Sequence, residues 1–378
     1  MLDPGQGLDA PVDVVVDGGT VVSIDAPGGD GAPDGEVHDA GGVLLVPGVV
    51  DLHTHLYEGC LTTAWTRTPT AWARGVTTAV DAGSSGAQTF PGFRHHVIDR
   101  SVTRVLAFIH VAVQGMITDL VGELEDLRWA SPERTVARAK EHPDVIVGVK
   151  IRLGYQMVGD DPEPALRLAR RAADDLGLPL MVHIIDMRRP ITWLLAWLVA
   201  GDVVTHCFHG NDGGILQPGG TVFPEVVAAQ QRGVLFDVGH GVGSFTFRVA
   251  RRAFEQGFFP DTISSDIHTH NVGGPAYDQA TTLSKLLHVG MPLDAVIRAT
   301  TATPAAAVRR DDLLGAVAVS READLTGLEL RAGRWWLTDG AGVSEEAEQL
   351  LVPRFVVRAG RLHQLAWPVP ALLRGTSA

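Results

Sequence analysis

GVVDLHTHLYEGC, residues 48–60, carries an apolar run from Val43 through Val50 into an abrupt polar ending. His53 and His55 are separated by a single threonine, so on a β-strand both side chains project from the same side. Such a pair is either the start of a metal site or a hydrogen-bonded cap that finishes a strand. The remainder of the chain decides between the two.

Beyond residue 48, short β-branched or apolar runs alternate with longer segments of helical period. Strands are expected at 48–54, 75–83, 104–112, 144–153, 178–184, 202–208, 233–240 and 261–268. Between them SPERTVARAKEH (131–142), PEPALRLARRAADDLG (162–177), TVFPEVVAAQQRG (221–233) and SFTFRVARRAFEQG (244–257) place apolar residues at i, i+3 and i+4. Strands buried on both faces with helices between them indicate parallel β/α units, and eight such units close a (β/α)8 TIM-like barrel of roughly 250 residues. A doubly wound open sheet is the alternative, but no G-x-G-x-x-G follows the first strand. The flanks have a different texture, with short Val/Asp/Gly hairpin segments before residue 48 and again after 314. The expected organisation is an α/β chain in which residues 1–47 and 315–378 form one small β-sandwich domain around a barrel at 48–314.

Composition narrows the partners. Of 378 residues, 45% are hydrophobic and 20% charged, which suits a large folded core. Lys and Arg number 31 against 44 Asp and Glu, giving a net charge of −13 with no basic stripe, so neither nucleic acid nor an anionic membrane is expected. The two cysteines cannot form a disulfide framework, the N-terminus lacks signal-peptide regions, and the apolar stretch 191–201 is too short to span a bilayer. A cytoplasmic protein acting on a small molecule, as a homo-oligomer, is the expectation.

Barrel chemistry sits at the C-terminal ends of strands. Those ends carry His53 and His55, Lys150, His183, His206, His240 and Asp266. His53 and His55 can share one ion, His183 and His206 a second, and Asp266 offers a hard oxygen ligand. Lys150 points a cation into an apolar interior, which is costly unless the charge is removed or paired. Either it forms a salt bridge to Asp81 or Asp266, or its neutral amine takes up CO2 to give a carbamate able to bridge two metals.

This pattern resembles the amidohydrolase superfamily, in its dihydroorotase- and hydantoinase-like branch. PGVVDLHTHLYEG, VGVKIRLGYQMVGD, DVVTHCFHGNDGGIL, GVLFDVGHGVGSFTF and PDTISSDIH most resemble the predicted amidohydrolase/deacetylase group that includes acetyl-(R)-mandelate deacetylases. The resemblance implies two zinc ions. One would be held by His53, His55 and Asp266, the other by His183 and His206, with the carbamate of Lys150 between them. It also implies deacetylation of a small carboxylate-bearing ester or amide by attack of a metal-bridging hydroxide, with Asp266 as the general base. A cyclic-amide hydrolase, a metal-dependent lyase or isomerase, and a non-catalytic scaffold are the competing readings.

Other residues carry paired expectations. Arg152, two positions beyond Lys150, faces either a substrate carboxylate or a loop acid. His240 and His268 either touch substrate or are structural, and Tyr155 and Asn271 are weaker substrate-binding candidates. SSDIHTHN adds a second H-x-H, His268 and His270, where the family pattern has a single histidine. In DAGSSGAQ the expectation is a turn whose amides face the pocket.

Overall fold

The computed structural model describes every residue except 29–34, 63, 65–73, 119, 366–372 and 374–378. Seven parallel strands lie in sequential order: Val49–Thr54, Val76–Gly86, Arg104–His110, Ile146–Arg152, Leu180–His183, Val203–Thr205 and Leu235–Asp237. Each coincides with one of the strands expected from sequence. The eighth segment makes no regular ladder. Instead, Thr262 bridges Asp237 on one side and Ile267 bridges Thr54 on the other, closing the curled sheet. The Ser265 amide and hydroxyl donate to the Asp51 carboxylate, and Asp266 has φ +48, so side-chain bonds and a local twist replace regular pairing there.

Apolar side chains divide into two layers. Val149, Ile151, Val182 and Val204 face outward against helices such as Glu163–Leu176, which packs through Ala165, Leu166, Ala169, Ala172 and Ala173. Val50, Leu52, Val80, Leu106, Phe108, Met181 and Val203 point inward and make a floor, sealed from below by Ala305, Ala307 and Val308. Helix starts follow their sequence signals. Ser131 accepts from the Arg134 amide ahead of Pro132–Glu141, and Thr246 from Val249 ahead of Phe247–Phe254.

A register shift between Asp51 and Thr54 sets the direction of the two strand-one histidines. Below it, Val50 and Leu52 face the floor. Above it, the parity flips and His53 and His55 enter the barrel mouth.

The chain ends meet in one sheet. Leu44–Pro47 pairs antiparallel with Leu325–Thr338, followed by Ser344–Arg358 and Arg361–Gln364. The Asp13–Asp17/Thr20–Asp25 hairpin reaches residue Glu322 beside that sheet through a bridge at Thr20. Among the described residues no helix is long and apolar enough to cross a membrane. The apolar stretch at 191–201 begins as the core helix Ile191–Leu195.

Phe108 is fully buried in the barrel floor, and a Cβ on Gly148 would lie 2.2 Å from its ring. Phe108→Ala should therefore lower unfolding free energy by roughly 3–5 kcal/mol in denaturant titrations. A loss below about 1 kcal/mol would show that the floor is not close-packed.

Candidate metal centre

All six residues expected as ligands converge on one cavity of about 450 Å³ at the C-terminal mouth, lined by His53, His55, Lys150, His183, His206 and Asp266. Ligand atoms of His53, His55 and Asp266 lie within 4.8 Å of one another. Asp266 Oδ1 is 3.4 Å from His53 Nε2 and 3.3 Å from His55 Nε2. Lys150 Nζ is 3.4 Å from His53 Nε2 and 3.5 Å from Met181 Sδ. The His206 ring stands 4.4 Å from that of His183 and 5.0 Å from that of His53, centroid to centroid.

Hydrogen bonds behind the rings fix which nitrogen faces the cavity. Thr205 Oγ1 donates to Asp237 Oδ2 at 2.7 Å, so it accepts the Nδ1 proton of His53 at 2.8 Å. Ser84 Oγ donates to Asp81 Oδ2 at 2.7 Å and likewise accepts from His55 Nδ1 at 3.0 Å. His206 Nδ1 donates to Gly239 O at 2.8 Å. In all three imidazoles the proton is held on the outer nitrogen, which leaves the Nε2 lone pair for the cavity. This is the usual arrangement behind metal-ligating histidines.

Local backbone is bent to achieve this. His206 and Asp266 both adopt left-handed conformations, with φ +73 and +48. Such conformations are unfavourable in non-glycine residues and concentrate at functional sites. Glycine makes room alongside. A Cβ on Gly83 would lie 2.6 Å from Lys150 Cγ, and one on Gly241 2.7 Å from Asp266 Oδ2.

Burial controls the charge of the group. It lowers Lys150 to about 7 and His206 to about 3, holds His53 and His183 well below the usual imidazole range, and raises Asp266. His206 Nε2 and Asp266 Oδ1 are buried with no hydrogen-bond partner. Lone pairs left uncompensated in a desolvated cluster of N and O donors fit divalent cations. The salt-bridge alternative for Lys150 finds no support: among the described residues no carboxylate lies within ion-pair distance of Nζ. Asp81 is instead engaged by the amides of Leu56, Gly83 and Ser84 and by the Ser84 hydroxyl.

The remaining candidates scatter. Arg152 lines the cavity, but its fork is bidentate to the buried loop acid Glu123, at 2.7 Å for both bonds. His110 Nε2 backs Glu123 at 3.3 Å, and together these groups hold the Glu123 carboxyl far below its ordinary range. His268 lines the cavity, as does His270, the other histidine of the second H-x-H. Asn271 acts on the backbone: its amide donates to Asp266 O at 2.7 Å and its carbonyl accepts from the His268 amide. Tyr155 is 37% exposed under the Arg188 guanidinium, outside the residues lining the cavity. His240 turns away from the cavity to meet Lys285 Nζ at 2.7 Å. DAGSSGAQ, expected as a turn with amides toward the pocket, instead continues the strand Val76–Gly86 through Gly86, and the Gly83 and Ser84 amides serve Asp81.

Sequence reasoning missed Glu123, Thr205 and Asp237. Thr205 and Asp237 end their strands beside the ligands and were legible in principle; Glu123 lies in a long loop with no local signal. The His53–Thr205–Asp237 relay makes a specific prediction. Thr205→Val should keep the fold but weaken metal binding by about 10–100-fold in chelator competition. Unchanged affinity would show that the relay does not orient His53.

Residues 44–357 match the model described as Amidohydrolase family. A protein of Agrobacterium fabrum named a deacetylase is 35% identical over 320 residues, 84% of this chain and 78% of that one. A deacetylase of Brucella anthropi is 34% identical over 350 residues, 92% of this chain and 87% of the relative. A crystal structure described as that of a dihydroorotase superposes with a TM-score of 0.86 at 32% identity, covering 94% of this chain and 96% of that one. With the family match spanning barrel and flanking sheet alike, the chain belongs to the amidohydrolase family.

Proposed function

We propose that the protein removes an acyl group, an acetyl above all, from a small carboxylate-bearing ester or amide, using two divalent cations. Zinc is the metal that the nitrogen-rich donor set favours. The observation that carries this reading is the convergence of six ligand side chains with His206 Nε2 and Asp266 Oδ1 left without partners. His53, His55 and Asp266 would hold one cation and His183 and His206 the other. A carbamate on Lys150 would join them, which would also remove a buried ammonium that lacks a counter-ion. Bound metals of this kind supply Lewis acidity, lowering the pKa of water toward about 7 and polarising an acyl carbonyl.

The protein groups then have distinct tasks. Asp266 sits against the Nε2 atoms of both strand-one histidines, placed to take a proton from attacking water and pass it to the leaving group. The hydroxyl relays behind His53 and His55 hold the imidazoles still while that proton moves. His268 and Arg152 wall the substrate side of the cavity. The Arg152–Glu123 pair is neutral as a unit, so attraction for an anionic substrate rests chiefly on the cations. The two free cysteines suit a reducing, cytoplasmic setting.

Structural similarity to a protein described as a dihydroorotase supports a second reading, a cyclic-amide hydrolase with the same metals. Metal analysis followed by assay of N-acetyl and O-acetyl acids against dihydroorotate and a hydantoin separates the two. Turnover of acyl acids alone is the expected result; turnover of the cyclic amides alone would overturn it. Metal-free protein inert to both series would indicate a scaffold.

Two variants test the assignments. Lys150→Ala should lose bound metal and activity together, and full activity would eliminate the carbamate. Asp266→Asn should retain much of the metal while kcat falls by about 10²–10⁴-fold; near-normal kcat would remove Asp266 as the proton carrier.

A further inference from the structure

Lys285 is fully buried on the helix Gln279–Val289, outside the residues that line the metal cavity. An ammonium in such a place is destabilising by several kcal/mol unless its donors are used. Two of them are. Nζ donates to His240 Nε2 at 2.7 Å and to Pro275 O at 2.7 Å. Because Nε2 is the acceptor, the His240 proton resides on Nδ1, which donates to Gly241 O at 3.0 Å. The ring lies stacked on Phe245, with centroids 5.0 Å apart and planes 27° from parallel.

The two segments that Lys285 joins are the two that enclose Asp266. On one side runs the turn 239–241 after the seventh strand. Its Gly239 carbonyl accepts from His206, the amides of His240 and Gly241 donate to the Ser264 and Ser265 carbonyls, and Gly241 leaves room for Asp266, because a Cβ there would lie 2.7 Å from Oδ2. On the other side runs the loop from Asp266 to Asp278, whose Asn271 holds the Asp266 carbonyl and whose Pro275 receives the lysine. Asp266, at φ +48, holds a conformation that non-glycine residues rarely adopt, and Gly241, at φ +55, supplies one open to glycine.

We infer that Lys285 is a positioning residue: acting through His240 and Pro275, it clamps the two segments so that the Gly239 carbonyl holds His206 and Asn271 holds Asp266. The inference rests on the reading of Asp266 and His206 as metal ligands, with Asp266 the proton carrier. It adds a residue on the helix Gln279–Val289, which is not among the elements described as lining the metal cavity.

The test compares wild type with Lys285→Met, which keeps the apolar stem, and with His240→Phe, which keeps the stack on Phe245. The double variant completes the cycle. Each protein is loaded with Co2+ and its visible absorption recorded, then kcat and KM are measured on an acyl acid that the wild type hydrolyses. Cobalt stoichiometry should be unchanged, while the ligand-field bands shift in both single variants. A displaced carboxylate should lower kcat by about tenfold or more, with KM within about twofold. The double variant should be no worse than the worse single one, since both substitutions break the same chain of contacts. His240→Gln, which offers an acceptor to Lys285 and a donor to Gly241, should recover most of kcat.

Bands and kcat like those of wild type, or losses that add in the double variant, would overturn the inference. A wild type that turns over no acyl acid would remove the deacylase reading alone, since the cobalt spectra still decide the positioning role. If Lys285→Met does not fold, the comparison of His240→Phe with His240→Gln decides the same question.

Discussion

Three imidazole nitrogens and a carboxylate oxygen pointed at one another inside a desolvated barrel mouth repel unless a cation lies among them. That constraint organises everything around it. Hydroxyl relays through Thr205 and Ser84 keep the protons of His53 and His55 on the outer nitrogens, so the inner lone pairs stay directed into the mouth. Asp237 and Asp81, buried at the far ends of those relays, accept several bonds each and fix the relays in turn. His206 and Asp266 hold left-handed backbone conformations, φ +73 and +48, that non-glycine residues rarely adopt. Such backbone occurs at two of the six candidate ligands and at no other residue described as lining the mouth, as expected where a fold gives up stability for chemistry.

Much of this was legible from residue types at strand ends. Seven strands lie where their apolar runs place them, and the six candidate ligands line one cavity because barrel strands deliver their last residues to one mouth. What escaped has particular causes. Strict alternation puts Leu52 and His53 on opposite faces, yet the register shift at Asp51–Thr54 brings Leu52 into the floor and His53 into the mouth. The eighth segment reads as a strand, but hydrogen bonds from Ser265 to Asp51 substitute for part of the ladder. Neither a bulge nor a side-chain substitute for a ladder bond leaves a periodic trace in sequence.

His240 shows the same limit for a side chain. It ends a strand as the ligands do, and its position alone recommended it for the cavity. The turn at Gly239 and Gly241, with φ +47 and +55, redirects it toward Lys285, a partner 45 residues away that no local pattern announces. Arg152 was the converse case: its inward face was foreseen, and of its two anticipated partners the loop acid won. A bidentate pair at 2.7 Å in a buried setting leaves Glu123 firmly ionised, so the guanidinium reaches the cavity already matched in charge.

That match bears on how the cavity selects its guest. A lone arginine at the mouth would draw any small anion, phosphate included, whether or not it carried a hydrolysable bond. Neutralised by Glu123, Arg152 contributes shape rather than net charge, so attraction for an anion would pass to the proposed metal ions. The floor reinforces this division. Met181 Sδ, 3.5 Å from Lys150 Nζ, marks the plane where apolar packing stops and the candidate ligands begin, and among the described residues no carboxylate lies within ion-pair distance of that amine. A barrel built only to bury Lys150 would have paired it. Leaving the amine without a counter-ion, on the inward face of the fourth strand and in reach of His53, is consistent with a site completed by metals and by a charge carried on the lysine itself.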